Sequence, residues 1–138
     1  MKRILLLLIC FTVLSFSDKN IEEYNFIGKW TGIDKGTTGC IIFEKDGTAS
    51  IKIGDNVLGG NDYYVNGKKT TITYSIDTTV KPINIDFIMN SEGHEKNGKL
   101  SFIAEIIDAN SFKFEIVKEN KPRNFSENNS MILTRIQE

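Results

Sequence analysis

The side chains best suited to catalysis or metal binding are few in this chain. His94 is the only histidine and lies in a polar stretch between Gly93 and Gly98, and the two cysteines are Cys10 and Cys40. A zinc site needs three or four His, Cys or carboxylate ligands close together, and nucleophilic catalysis needs a base beside the nucleophile. The sequence therefore predicts no metal site, no cofactor and no catalytic residue, and the chain is expected not to be an enzyme.

One pair of residues can form a specific contact. Trp30 is the only tryptophan, and Arg135 lies three residues from the end of the chain. A guanidinium group lying flat on an indole ring contributes about 1–2 kcal/mol when water is excluded. Gly28 would let the backbones approach closely. We predict that Gly28, Trp30 and Arg135 join the first strand to the last. In the alternative, Trp30 is an ordinary core aromatic and Arg135 is solvated.

The elements that must position this pair are short strands. Apolar residues alternate with a period of two, and Gly, Asn or Asp interrupts the pattern every 8 to 12 residues or so, which is typical of all-β proteins. Asp46-Gly47 and Asn66-Gly67 are predicted two-residue hairpin turns. The predicted fold is an antiparallel up-and-down β-barrel of eight to nine strands, because closing the sheet removes its exposed edges. A two-sheet sandwich is the alternative. The predicted strands cover residues 26–32, 39–44, 48–53, 62–65, 70–76, 83–89, 100–106, 112–116 and 131–135.

The first 17 residues differ from the rest. Lys2 and Arg3 precede an almost wholly apolar stretch, residues 4–13, and small residues follow at Ser15 and Ser17. This pattern predicts a secretory signal peptide over residues 1–17 and one domain over residues 18–138. The apolar stretch is shorter than the roughly 20 residues that a transmembrane helix needs. We expect a secreted, periplasmic or cell-envelope protein. Lipid attachment at Cys10 is less favoured, because bulky residues precede the cysteine.

The charge excludes one class of partner. The chain has 17 basic and 18 acidic residues, a net charge of −1. Proteins that bind nucleic acid usually carry a basic patch, and no such patch is present in the sequence. We expect a monomer that binds no nucleic acid.

Short motifs resemble those of a known superfamily. Residues 26–30 (Phe-Ile-Gly-Lys-Trp) and 134–136 (Thr-Arg-Ile) are similar to the first and last strands of the calycins, which include lipocalins and fatty-acid-binding proteins. The segments Lys81-Pro82 and Lys121-Pro122-Arg123 resemble those of small bacterial lipocalin-like domains of unknown function. The resemblance implies a closed barrel that holds a hydrophobic molecule. The chain lacks the middle Thr-Asp-Tyr motif and the disulfide of true lipocalins, which puts a large cavity in doubt.

The inward-facing side chains are the candidate ligand site, and Tyr74 can offer a hydroxyl group to a flat or flexible apolar ligand. The same side chains could instead fill the barrel, since an eight-stranded barrel is just wide enough for them. In that case the chain would be a packed-core protein-interaction module, such as an envelope adaptor or an inhibitor of a secreted enzyme, that binds through loops around Tyr63 and Tyr64. The predicted lining residues are Ile51, Tyr74, Ile85, Phe87, Phe102, Phe114 and Leu133.

Overall fold

The structure, a computed structural model, describes residues 24–93, 98–118, 124–126 and 128–137. The predicted signal peptide with Cys10, residue His94 and the Lys121-Pro122-Arg123 segment lie outside these residues. Within them the chain is all-β, and no helix is long or apolar enough to cross a bilayer. The ten strands are β1 (Gly28–Asp34), β2 (Thr37–Phe43), β3 (Ala49–Ile53), β4 (Asn56–Gly59), β5 (Tyr64–Val65), β6 (Lys68–Asp77), β7 (Ile83–Ser91), β8 (Gly98–Asp108), β9 (Ser111–Val117) and β10 (Met131–Arg135).

All ten strands form one antiparallel sheet in the order β4-β3-β2-β1-β10-β9-β8-β7-β6-β5. The first strand, β1, pairs with the last, β10. In this pair Trp30 lies opposite Arg135, and Thr31 lies opposite Thr134. The strands otherwise pair with their neighbours in sequence, as in a β-meander. The predicted all-β, antiparallel, up-and-down arrangement is therefore confirmed at this level.

Strand number and barrel closure differ from the prediction. The predicted eight to nine strands omitted β4, a four-residue strand that pairs only with β3. The sheet curls until β3 approaches β6, where Thr48 and Thr73 form an isolated bridge and the Tyr74 amide donates to the Gly47 carbonyl at 3.1 Å. No continuous ladder joins the two sheet edges, β4 and β5, within the described residues. The result is a curled sheet, or half-barrel.

The two predicted Asx-Gly turns have different geometries. Asn66 and Gly67 both have positive φ angles, 53° and 77°, as a type I′ turn between β5 and β6 requires. The other hairpin connects β2 and β3 through a longer loop, in which Gly47 has a φ of 90° and donates its amide to the Glu44 carbonyl at 3.1 Å. Asp46 accepts hydrogen bonds from the amide and hydroxyl of Thr48 there. The hairpin was predicted correctly, but its two-residue turn was wrong, because the Asp46 side chain stabilises a wider loop.

The core lies on the concave face of the sheet. Period-two alternation places Trp30, Ile41, Ile85, Phe87 and Leu133 on this face with exposures of 4% or less. Outward neighbours such as Ile33 and Ile132 are largely exposed. The apolar residues 41–43 that follow Cys40 predict a buried thiol, but Cys40 is half-buried, as is its register partner Thr31. The strand pattern thus determines which residues are inside.

Close packing of β1 against β10 depends on Gly32. A Cβ atom at this position would lie 2.8 Å from the Ile132 carbonyl oxygen and 2.9 Å from Cδ2 of Leu133. Its register partner Gly39 offers a matched control, because a Cβ there would meet only the Lys52 carbonyl oxygen at 3.8 Å. We expect Gly32→Ala to lower the free energy of unfolding by about 1–3 kcal/mol and Gly39→Ala to change it by less than about 1 kcal/mol. Urea unfolding followed by circular dichroism measures both, and equal effects would contradict the proposed crowding at β1–β10.

Candidate functional site

Arg135 connects three parts of the chain at one end of the half-barrel. Its guanidinium carbon lies 4.2 Å from the centre of the Trp30 ring. Its nitrogens donate hydrogen bonds to the main-chain carbonyls of Ile27 at 2.8 Å, Asn25 at 2.6 Å and Ala109 at 3.4 Å. Trp30 is fully buried, and its indole nitrogen donates to the Phe26 carbonyl at 2.8 Å. The structure therefore brings together the pair predicted for closure, and the same contacts hold residues 25–27 in place.

Gly28 permits this arrangement. Its φ of 131° favours glycine, and a Cβ atom there would lie 3.1 Å from a guanidinium nitrogen of Arg135. All three residues named for closure are thus in mutual proximity.

The residues predicted to line a cavity lie together on the concave face and pack against other side chains. Six of the seven are buried, and Tyr74 is half-buried. Six phenylalanine rings, three of them outside the predicted set, form a closed cycle of ring contacts with centroid distances from 4.6 to 6.1 Å. The cycle runs through Phe26, Phe43, Phe87, Phe102, Phe114 and Phe112. These contacts give the concave face a structural role.

The prediction missed Phe26, Phe43 and Phe112 as members of the aromatic cycle. A signal for all three is present in the sequence, because Phe43 follows Ile41, Phe112 precedes Phe114 and Phe26 precedes Gly28 and Trp30 with the same period of two. In the structure β1 begins only at Gly28, after Phe26.

A groove of about 290 Å³ opens beside the Arg135 contacts. We call it the Tyr24–Tyr74 groove. Its apolar surface comes from Phe26, Ile27 and Ile76 together with the two tyrosine rings. Both phenol hydroxyls are donors to main-chain carbonyls: Tyr24 to Asp108 at 2.8 Å and Tyr74 to Glu44 at 2.9 Å. The residues that line it are Tyr24, Asn25, Phe26, Ile27, Tyr74, Ile76 and Thr78.

Both tyrosines keep their protons at neutral pH. Burial raises the pKa of Tyr74 above 10.0, and the Asp46 and Glu44 carboxylates raise it further. Burial also raises the pKa of Tyr24, while Arg135 lowers it and Asp108 raises it. Each phenol oxygen can still accept a hydrogen bond after donating its proton. The groove can therefore hold a small molecule with an apolar body and one or two hydrogen-bond donors.

A second cavity, of about 300 Å³, is lined by both apolar and polar groups, the polar ones including Glu115, Ser126, Asn124, Asn128 and Asn129. Glu115 is only 6% exposed, and its carboxylate accepts hydrogen bonds from the Ser126 amide at 3.0 and 3.2 Å and from the Ser126 hydroxyl. Lys113 lies 4.7 Å from the Phe125 ring centre. These contacts fasten residues 124–126 onto β9, which accounts for the buried carboxylate.

In the part of the chain that the structure describes, no three His, Cys, Asp or Glu side chains are placed to hold a metal ion. Comparisons with family models, with curated proteins and with solved structures found no match to this chain. Its relationship to the calycins therefore stays a prediction.

Substitution of Arg135 should cause a measurable loss of stability, because its contacts join β1 to β10. Arg135→Lys keeps the charge but removes the planar group and the fork of donors, so we expect the free energy of unfolding to fall by about 2 kcal/mol. Trp30 emission should shift to longer wavelength as the indole becomes wetter. The control is Lys99→Gln, because Lys99 is exposed and lies 3.7 Å from Asp86, a surface pair worth at most about 1 kcal/mol. Unfolding in urea followed by Trp30 fluorescence tests this, and an unchanged midpoint for Arg135→Lys would refute it.

Three turns near the groove predict a dependence on pH. Hydrogen bonds hold the pKa values of Asp46, Asp77 and Asp108 below 3.8, chiefly from the Thr48 side chain, the Thr79 side chain and the Asn110 amide respectively. A lowered folded-state pKa stabilises the fold above the unfolded value, and this contribution is lost as the pH falls through the folded pKa.

We therefore expect the melting temperature to fall as the pH drops below about 4. A variant with Asn at positions 46, 77 and 108 should be less stable than the native chain at neutral pH, and the gap should close in acid. Melting curves across this pH range measure the gap. Asn at Asp34 and Asp55, two exposed carboxylates at the opposite end, is the control. A gap that stays constant down to about pH 2 would contradict the assignment.

Proposed function

We propose that this chain is an exported, lipocalin-like binding protein that takes a small, mostly apolar molecule in the Tyr24–Tyr74 groove. The concave face serves as a packed scaffold in this proposal. The curled antiparallel sheet and the contact of Trp30 with Arg135 support the lipocalin-like assignment. The basic and apolar start of the sequence supports export.

The observation that carries the proposal is the groove itself. It brings aromatic and aliphatic side chains together with about as much polar surface, and hydrogen bonds fix both phenol hydroxyls. Apolar walls with convergent, fixed polar groups are typical of small-molecule sites. Its volume of about 290 Å³ suits a ligand of one or two rings. The proposed site lies at the end of the half-barrel that contains Trp30, and not in the barrel interior, where the sequence predicts it. Tyr74 is common to both sites.

Binding rather than catalysis is proposed for this groove. Its two hydroxyls are phenols whose pKa values lie above the ordinary value of 10.0, so neither is a base or a nucleophile at neutral pH. Each proton is already donated to a main-chain carbonyl. Such groups orient a ligand and do not transform it.

The test is an NMR titration of nitrogen-15-labelled protein with 1-naphthol, a neutral two-ring compound with one hydrogen-bond donor. We expect shift changes at Tyr24, Phe26, Tyr74, Ile76 and Thr78, with a dissociation constant on the order of 100 µM. Ile76→Arg should abolish them by placing a long charged side chain in the groove. Ser75→Arg is the matched control, because Ser75 is exposed and points to the opposite face of β6.

The map of shifts distinguishes the alternatives. Changes confined to Phe87, Phe102 and Phe114 would place the ligand in the predicted barrel interior and overturn the groove. The absence of any change would favour a protein partner.

A packed-core protein-interaction module is the second candidate function. The cycle of phenylalanine contacts fills the concave face, and Tyr64 is 58% exposed in the short edge strand β5. Exposed aromatics are common at protein interfaces. A photo-crosslinking residue at position 64 should then give one discrete adduct in the native cell envelope, and the same residue at exposed Thr71 should not. Equal labelling from both positions would argue against this function.

A further inference from the structure

We propose that the ligand of the Tyr24–Tyr74 groove is a small organic monocation, with an ammonium or guanidinium group on an apolar body. This inference rests on the proposed function, because it assigns a ligand class to the same groove. It follows from the charges that the loops place around the groove and from the aromatic surfaces inside it.

Four carboxylates lie at this end of the half-barrel. Glu44 and Asp46 lie in the β2–β3 loop, Asp77 is the last residue of β6, and Asp108 is the last residue of β8. All four are exposed. Two of these positions contact the groove directly, since Tyr74 donates to the Glu44 carbonyl and Tyr24 to the Asp108 carbonyl. At the third, Asp77 precedes Thr78, which lines the groove.

Basic residues only partly offset these charges. Lys45 lies in the β2–β3 loop and Lys81 in the β6–β7 loop, and both are exposed, so their long side chains are free to extend into solvent. Arg135 is bound to the carbonyls of Ile27, Asn25 and Ala109 and lies on the Trp30 ring. The positive charge of Arg135 therefore lies on the Tyr24 side of the groove.

The two ends of the groove therefore differ in electrostatic potential. At Tyr24, Arg135 opposes Asp108, whereas at Tyr74 the charged neighbours that act on the hydroxyl are Asp46 and Glu44. A cationic group is favoured at the Tyr74 and Thr78 end. The apolar body of the ligand then lies against Phe26, Ile27 and Ile76.

The aromatic surfaces add to the preference. Tyr24 and Tyr74 are half-buried, so part of each ring faces the groove. A cation over a tyrosine ring is attracted by its π electrons, an effect that grows as water is displaced. Carboxylates beside an aromatic wall select a cation over a neutral molecule of the same shape.

The experiment compares three small probes by NMR titration at low ionic strength: benzyltrimethylammonium, benzyl alcohol and benzoate. We expect the cation to bind about tenfold more tightly than the alcohol, and benzoate to bind least. Added salt at about 1 M should reduce the advantage of the cation to roughly twofold. Asp46→Asn combined with Asp77→Asn should remove most of the advantage without removing the groove. Asp34→Asn combined with Asp55→Asn is the matched control, because Asp34 ends β1 and Asp55 lies in the β3–β4 loop, both at the opposite end of the strands.

Each outcome has a distinct meaning. Selective binding of the cation at Tyr74 and Thr78, weakened by the Asp46 and Asp77 changes alone, supports the inference. Equal binding of the cation and the alcohol in the groove overturns it and leaves the proposed function intact. Preference for benzoate overturns it by showing that Arg135 dominates the groove. Failure of all three probes to shift any groove residue overturns both this inference and the proposed function.

Discussion

The structure depends on one side chain that joins segments far apart in sequence. Arg135 stacks on Trp30 and binds carbonyls before β1 and in the β8–β9 loop, so it connects residues separated by up to 110 positions. A guanidinium group placed against an indole must recover its lost hydration, and the three carbonyls supply that compensation. The same contacts position residues 25–27, which form one wall of the groove. The fold and the groove therefore both depend on the Arg135 contacts. A substitution that weakens these contacts is expected to change the shape of the groove as well.

Much of the sheet could be predicted because period-two alternation reports directly on which face is buried. Ile83, Ile85 and Phe87 are buried in β7 with half-buried residues between them, as the pattern implied. Strand β4 was not predicted because residues 56–59 show no alternation of apolar and polar residues. Its pairing with β3 forms only in the folded sheet. Whether the two sheet edges, β4 and β5, meet could not be predicted either, since that depends on how far a twisted sheet curls. That distance depends on packing between side chains that are remote in sequence.

The candidate site was harder to predict than the fold. Periodicity placed Phe87, Phe102 and Phe114 on one face, but it could not show whether their rings leave space between them. Stacking of Phe102 on Phe114 at 4.6 Å is a property of rotamers and strand spacing, which no sequence pattern encodes. The groove was missed for a related reason. Tyr24 and Ile27 lie in a segment without regular structure, and they meet Tyr74 and Ile76 only because Arg135 holds that segment in place.

A filled concave face and an open groove at its end are compatible for a physical reason. Interlocking aromatic rings on the concave face supply most of the packing, so the loops beside it can carry exposed charges whose contribution to folding is small by comparison. Asp46 and Asp77 are examples. One carboxylate oxygen of each accepts a hydrogen bond from the amide of Thr48 or Thr79 in its own turn, and both residues stay exposed. These hydrogen bonds hold the negative charge in one position, so little further ordering of the side chain is needed when a ligand binds. A charge held rigidly beside an apolar wall discriminates among ligands better than one on a mobile side chain, since less ordering is required on binding.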